Sequence, residues 1–160
     1  MSARAYAVTI LLALLPISEL RGAIPWAYFN GAPLGVATAL GVVVNLLVAP
    51  IAYLFLASLH TVFFRAWKWY RAFFTRFVER ARVKVEHHFS KWGYVGLALF
   101  VGVPLPITGA WTAALGAWVL GLKKRPTIIA ISFGVLISAT IVTLLIAFGV
   151  GLDSMFIKRI

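Results

Sequence analysis

Two interruptions of apolar sequence decide how this chain folds: Ser18-Glu19-Leu20-Arg21-Gly22-Ala23-Ile24-Pro25 and Pro104-Leu105-Pro106-Ile107-Thr108-Gly109-Ala110-Trp111. Apolar arms flank each of them, residues 5–17 and 23–32 around the first and 93–103 and 110–122 around the second. At 1.5 Å per helical residue, such arms reach about 15–20 Å, against a hydrocarbon core of about 30 Å. Short arms broken by Pro, Gly and charge fit a helix–break–helix hairpin that enters and leaves a membrane on one face.

Moving outward, each broken segment is followed by a long uncharged run, residues 34–59 and 127–152. Either run is long enough to span with some tilt. Pro50 is expected to kink the first, because its ring removes a hydrogen bond to Leu46. The pattern reads as a repeat within a single membrane domain over 1–160: a first repeat at 5–64, a connector at 65–92 and a second repeat at 93–152. With one spanning helix per half, the halves insert with opposite orientation. The expected fold is an all-α integral membrane protein, with two re-entrant helical hairpins and two transmembrane helices in an inverted repeat, plus an amphipathic connector helix. Paired short, interrupted segments in two inverted halves point to a transport site.

Two other topologies compete. If each hairpin spans fully, the chain has four helices; the positive-inside count splits eleven to three in either topology. The re-entrant reading is preferred because a full span carries Glu19 and Arg21 deep into an uninterrupted helix. A secretory signal over residues 1–22 suits Arg4 and the 13-residue apolar run, but no small-residue cleavage site follows.

Composition agrees with a membrane location. The chain is 62% hydrophobic and only 12% charged, too little polar surface for a soluble fold of this size and too apolar for disorder. With no cysteine, disulfides and thiolate chemistry are excluded. Fifteen Lys and Arg against four Asp and Glu point to anionic lipid headgroups and an orientation signal, and not to nucleic acid. Eight of those basic residues lie in 65–91, where Tyr70, Phe74, Phe77, Ala81, Val85, Phe89 and Trp92 recur at helical spacing opposite a basic face. This connector is placed on the cytoplasmic surface, in the headgroup layer, with Trp67, Trp69 and Tyr70 as interfacial aromatics. His87 and His88 point about 100° apart, as neighbours in a helix do, and are expected to face headgroups, not a metal. His60 is expected at the interface.

The breaks carry the chemistry. An ionisable residue at membrane depth is expensive, about 2.5–3.5 kcal/mol on insertion scales, and so marks a functional site. Glu19 in such a place can take and release a proton, and the forked guanidinium of Arg21 suits phosphate or carboxylate. In the first break Gly22 and Pro25 are read as structural breaks. In the second, Pro104 and Pro106 prevent a continuous helix, Gly109 allows close approach, and Thr108 caps the next arm or offers its hydroxyl to a ligand. Glu19, Arg21 and Thr108 are expected to share one polar pocket; Asn45, mid-span, lines it or bonds a neighbouring helix. The rows Gly31, Gly35, Ala39 and Ala130, Gly134, Ser138 read as close-packing surfaces.

At these two breaks the sequence resembles the small multidrug export proteins, in order and spacing over essentially the whole chain. That family is similar to the wider DedA superfamily, whose relatives are thought to carry two re-entrant hairpins in an inverted repeat and are associated with proton-dependent transport of lipid phosphates. The relatives carry acidic residues in the first hairpin, which Glu19 matches, and arginines in the second, where this chain has none; Arg21 lies in the first. The resemblance implies a proton-coupled transporter of an amphipathic anionic substrate such as a lipid-linked phosphate, with membrane lipids and protons as partners. Export of lipophilic cations, with Glu19 as the anionic site and the six tryptophans as cation–π surfaces, is the alternative; a non-transporting scaffold is the third. No enzyme activity and no cofactor are expected. A homodimer is plausible for so small a body.

Overall fold

The structure is a computed structural model that describes residues 2–58, 67–104 and 108–157; the side chains of 57, 68–71, 73, 77 and 150–157 lie outside the described set. So do Pro106, His60 and the side chains of Trp69, Tyr70 and Phe77, on which parts of the sequence reading fall. The described residues form helices and connecting turns, with no strand among them. In chain order the helices are α1 (Ala3–Leu14), α2 (Glu19–Phe29), α3 (Leu34–Leu46), α4 (Val48–Ser58), α5 (Lys68–Gly102), α6 (Ala110–Val119) and α7 (Lys124–Ile157).

Among the described residues two runs are long and apolar enough to cross a membrane, Leu34–Leu56 and Lys124–Gly149. The first contains the interruption expected from Pro50. With no N–H at residue 50, the ladder breaks three residues earlier, at Leu47, and resumes with the Ile51 amide on the Leu47 carbonyl at 3.0 Å.

The first broken segment differs from its sequence reading. The non-helical residues are 15–18, and Gly22 and Pro25 both lie inside α2. Pro25 costs α2 only the bond to the Arg21 carbonyl, in a helix whose buried face packs tightly. Gly22 serves a different purpose: a Cβ there stands 2.8 Å from the Ser18 Cβ, so only glycine lets the first turn of α2 fold over the break. The second broken segment follows its reading more closely. α5 ends at Gly102, Val103 and Pro104 follow, and α6 begins at Ala110.

The turns after α2 and α6 are the same turn. Asn30, Gly31 and Ala32 donate to Trp26, Tyr28 and Ala27; Leu120, Gly121 and Leu122 donate to Gly116, Trp118 and Ala117, each pair shifted by 90 residues. Gly31 (φ 88°) and Gly121 (φ 67°) both supply the left-handed residue that this helix ending demands. The same shift aligns Leu15-Pro16-Ile17-Ser18 with Leu105-Pro106-Ile107-Thr108, and the starts of Leu34–Leu56 and Lys124–Gly149.

One core joins the two halves: Leu20 and Ile24 of α2, Val48 of α4, Leu97 and Phe100 of α5, Ala113 of α6 and Ile131 of α7 are all buried in it. The connector and the arm that follows it form one helical stretch, interrupted at the non-helical Gly93 (φ 59°, ψ −139°). Its apolar face is directed at protein. Phe74, Ala81 and Val85 are buried, and Val85 and the Ala81 carbonyl press so close to α6 that a Cβ on Gly116 meets them at 2.5 and 2.8 Å. Phe89 stacks edge-on with Tyr94, while Trp92 is exposed. His87 is exposed, and His88 turns to the Lys84 carbonyl (2.8 Å) and the Phe100 ring. Of the two small-residue rows, Ala130, Gly134 and Ser138 are buried against neighbouring helices, whereas Gly31, Gly35 and Ala39 face outward. Ala37 and Gly41 are the buried small residues of α3.

Candidate functional site

The two breaks meet. α2 opens at Glu19, whose backbone adopts the left-handed conformation (φ 48°), unusual for a residue with a side chain and costly by about 1–2 kcal/mol. This conformation accompanies a carboxyl that leaves its own helix and reaches the start of α6. There Oε2 accepts from the Ala110 amide and Oε1 from the Trp111 amide, each at 3.3 Å. Glu19 is only 5% exposed. A helix N-terminus holds unsatisfied N–H groups and a positive end, so a carboxylate is well placed there. The residue that caps α6 therefore lies 91 positions away in sequence from Ala110.

Gly109 makes this approach possible. Its backbone is extended, so conformation does not require glycine, but space does: a Cβ at 109 stands 2.6 Å from Cδ and from Oε1 of Glu19. Thr108 does not cap α6. Its hydroxyl donates to the Val103 carbonyl at 3.1 Å and so ties the end of α5 to the break. Arg21, half-buried in the first turn of α2, donates through Nη2 to the Thr108 carbonyl and lies 3.4 Å from its hydroxyl. Glu19 and Arg21 thus converge on one tetrapeptide, residues 108–111.

The end of α1 is held from three directions. Ser18 Oγ donates to the Leu12 carbonyl (2.5 Å), Asn45 Nδ2 to Ala13 (3.0 Å) and Trp111 Nε1 to Leu14 (2.8 Å). These are carbonyls that the helix itself leaves open. Asn45 is therefore beside the site but directed at α1, and its Oδ1 is buried without a hydrogen-bond partner. Trp111 belongs to both arrangements, giving its backbone N–H to Glu19 and its indole N–H to Leu14.

The sequence reading placed Glu19, Arg21 and Thr108 together, and the structure does so. There the Glu19 carboxylate lies on the Ala110 and Trp111 amides. Two grooves elsewhere, one lined by Tyr94, Arg125 and Phe133 and one by Thr38, Thr140 and Thr143, do not touch Glu19 or Arg21. Trp111 and Ser18 were missed as members of the site. The recurrence of Leu-Pro-Ile-Ser as Leu-Pro-Ile-Thr, 90 residues on, is the signal that finds the true limits of the first break.

No curated protein and no solved structure matches this chain. A family model does, over residues 19–141, a stretch that begins at Glu19 itself and encloses Arg21, Asn45, Thr108 and Trp111. A chain with two membrane-length apolar helices, most of whose length is covered by that model, is a membrane protein, and it belongs to the family described as "Putative small multi-drug export protein".

Proposed function

We propose that this chain is a proton-coupled secondary transporter of an amphipathic anion, such as a lipid-linked phosphate, and that Glu19 is the switch. The carrying observation is the Glu19 carboxylate on the Ala110 and Trp111 amides, with Arg21 on the neighbouring Thr108. Helix N-termini of this kind bind external anions. Here the carboxylate is an internal anion in the same seat. A proton on Glu19 cancels its charge and weakens its hold on both amides. The released amides and the guanidinium of Arg21 then offer an incoming phosphate donors and a fixed positive charge. Proton and anion are taken up together because each favours the other's bound state.

In this reading the broken helices are re-entrant hairpins and the halves are inverted. α1, α2 and α6 have 12, 11 and 10 residues, about 15–18 Å each, too short to cross. The turn and the tetrapeptide that recur 90 residues apart support a repeat whose two breaks face one another, the arrangement in which transporters hold substrates near the midplane. The basic connector and the Lys123-Lys124-Arg125 cluster share the cytoplasmic side. The substrate class rests on the resemblance to the DedA superfamily read from the sequence. The family description favours a second reading, export of lipophilic cations on the Glu19 carboxylate; Arg21 beside it opposes a cation.

Proteoliposomes separate these readings. Under an imposed pH gradient, movement of a short-chain fluorescent phosphatidate is expected in the parent, to lose its pH dependence in Glu19→Gln, and to need higher substrate concentration in Arg21→Lys. Transport of tetraphenylphosphonium but not phosphatidate establishes the cation reading. Movement of neither probe leaves a scaffold.

A further inference from the structure

Away from the two breaks, Tyr94 and Ala98 of α5 face Arg125, Ile129, Ala130 and Phe133 of α7 across a groove of about 430 Å³. That volume falls in the range of ligand sites, about 300–1,000 Å³. The walls are apolar, and the one charged lining residue, Arg125, stands at the end where α7 begins. From Arg125 to Phe133 the groove follows two turns of α7, about 12 Å into the hydrocarbon. Ile129 and Phe133 are 58% and 60% exposed along it. Trp92, exposed two residues before Tyr94, marks the same end as interfacial.

The charge at that end needs an explanation. Lys123, Lys124 and Arg125 are consecutive and exposed, and the last two occupy the first turn of α7, whose positive end disfavours cations. Among the described residues none of the three is ion-paired; the Lys124 ammonium lies 5.9 Å from the Tyr53 ring centroid. An anion at this position relieves both the mutual repulsion and the unfavourable dipole. An anion with an apolar tail also fills the groove.

We infer that this groove binds one anionic phospholipid of the bilayer, its phosphate on the Lys123-Lys124-Arg125 cluster and one acyl chain along Ile129 to Phe133. The inference does not depend on the transport reading, because Glu19, Arg21 and Thr108 do not line this groove.

The test is native mass spectrometry of the full chain released from micelles containing equal amounts of phosphatidylglycerol and phosphatidylcholine with matched acyl chains. The parent is expected to retain one phosphatidylglycerol in preference to phosphatidylcholine. Each cation near an anionic headgroup is worth about fivefold, so Arg125→Gln should reduce that preference by about that factor. Ile129→Trp, which fills the groove from its exposed side and leaves the charge intact, should also release the lipid. Arg82→Gln, on the exposed connector surface, should change nothing. Equal retention of the two lipids, unchanged retention in both groove variants, or an equal loss in Arg82→Gln overturns the inference. So does displacement of the lipid by millimolar inorganic phosphate, since the site then recognises phosphate alone.

Discussion

Replacing Gly109 by alanine tests the contact on which the site is built. The added Cβ stands 2.6 Å from Cδ of Glu19 and nearer still to Oε2, whereas ordinary contact begins near 3.4 Å, so the carboxylate must retreat by at least about 0.8 Å. Retreat from the backbone lengthens its two hydrogen bonds from 3.3 Å to about 4 Å, beyond bonding distance. Hydrogen bonds to a charged acceptor contribute about 1.5–3 kcal/mol each, so the variant is expected to lose about 3 kcal/mol of stability. In a Glu19→Ala background the same methyl meets no carboxylate and costs only a few tenths of a kcal/mol. The coupling between the two positions should therefore be about 2–3 kcal/mol. Unfolding of the four proteins in mixed dodecylmaltoside–SDS micelles, followed by far-UV circular dichroism, measures it. A coupling below about 0.5 kcal/mol would show that residues 19 and 109 act independently, and the capping of α6 by Glu19 would be refuted.

Two further outcomes are expected from the same assay. Gly121→Ala should cost about 1 kcal/mol and Gly121→Asn less, because φ is 67° while nothing lies within 4 Å of a new Cβ, so that only backbone conformation is at stake. Gly116→Ala should cost about 1–3 kcal/mol by pushing α6 off the connector, and Val85→Ala should restore part of the loss, since Val85 Cγ2 is the nearest atom at 2.5 Å.

Much of the architecture was legible because it depends on local signals. Apolar length announces the two long apolar helices, and Pro50 announces the break at Leu47. The cost of burying Glu19 and Arg21 was enough to single them out. What each one touches was not legible, because partners 87 to 92 residues away leave no local pattern. Thr108 read either as the cap of α6, a role threonine favours next to a helix start, or as a ligand hydroxyl; the cap is Glu19, brought there by the packing of the halves. Pro25 looked like a break because proline ends most helices, yet α2 continues through it. The connector's apolar stripe was read as lipid-facing. Its periodicity is the same whether lipid or protein covers it, and only the close approach of Gly116 decides between them.

The triple hold on the end of α1 has a consequence for how the protein is made. Of the three side chains that satisfy the Leu12, Ala13 and Leu14 carbonyls, Ser18 emerges from the ribosome almost at once, Asn45 follows 32 residues after Ala13, and Trp111 arrives 97 residues after Leu14. Until then the Leu14 carbonyl lacks the indole that holds it and the Glu19 carboxylate lacks the α6 amides on which it sits. Biogenesis thus has a fixed timetable, in which the early half stays unfinished until the late half arrives to lock it.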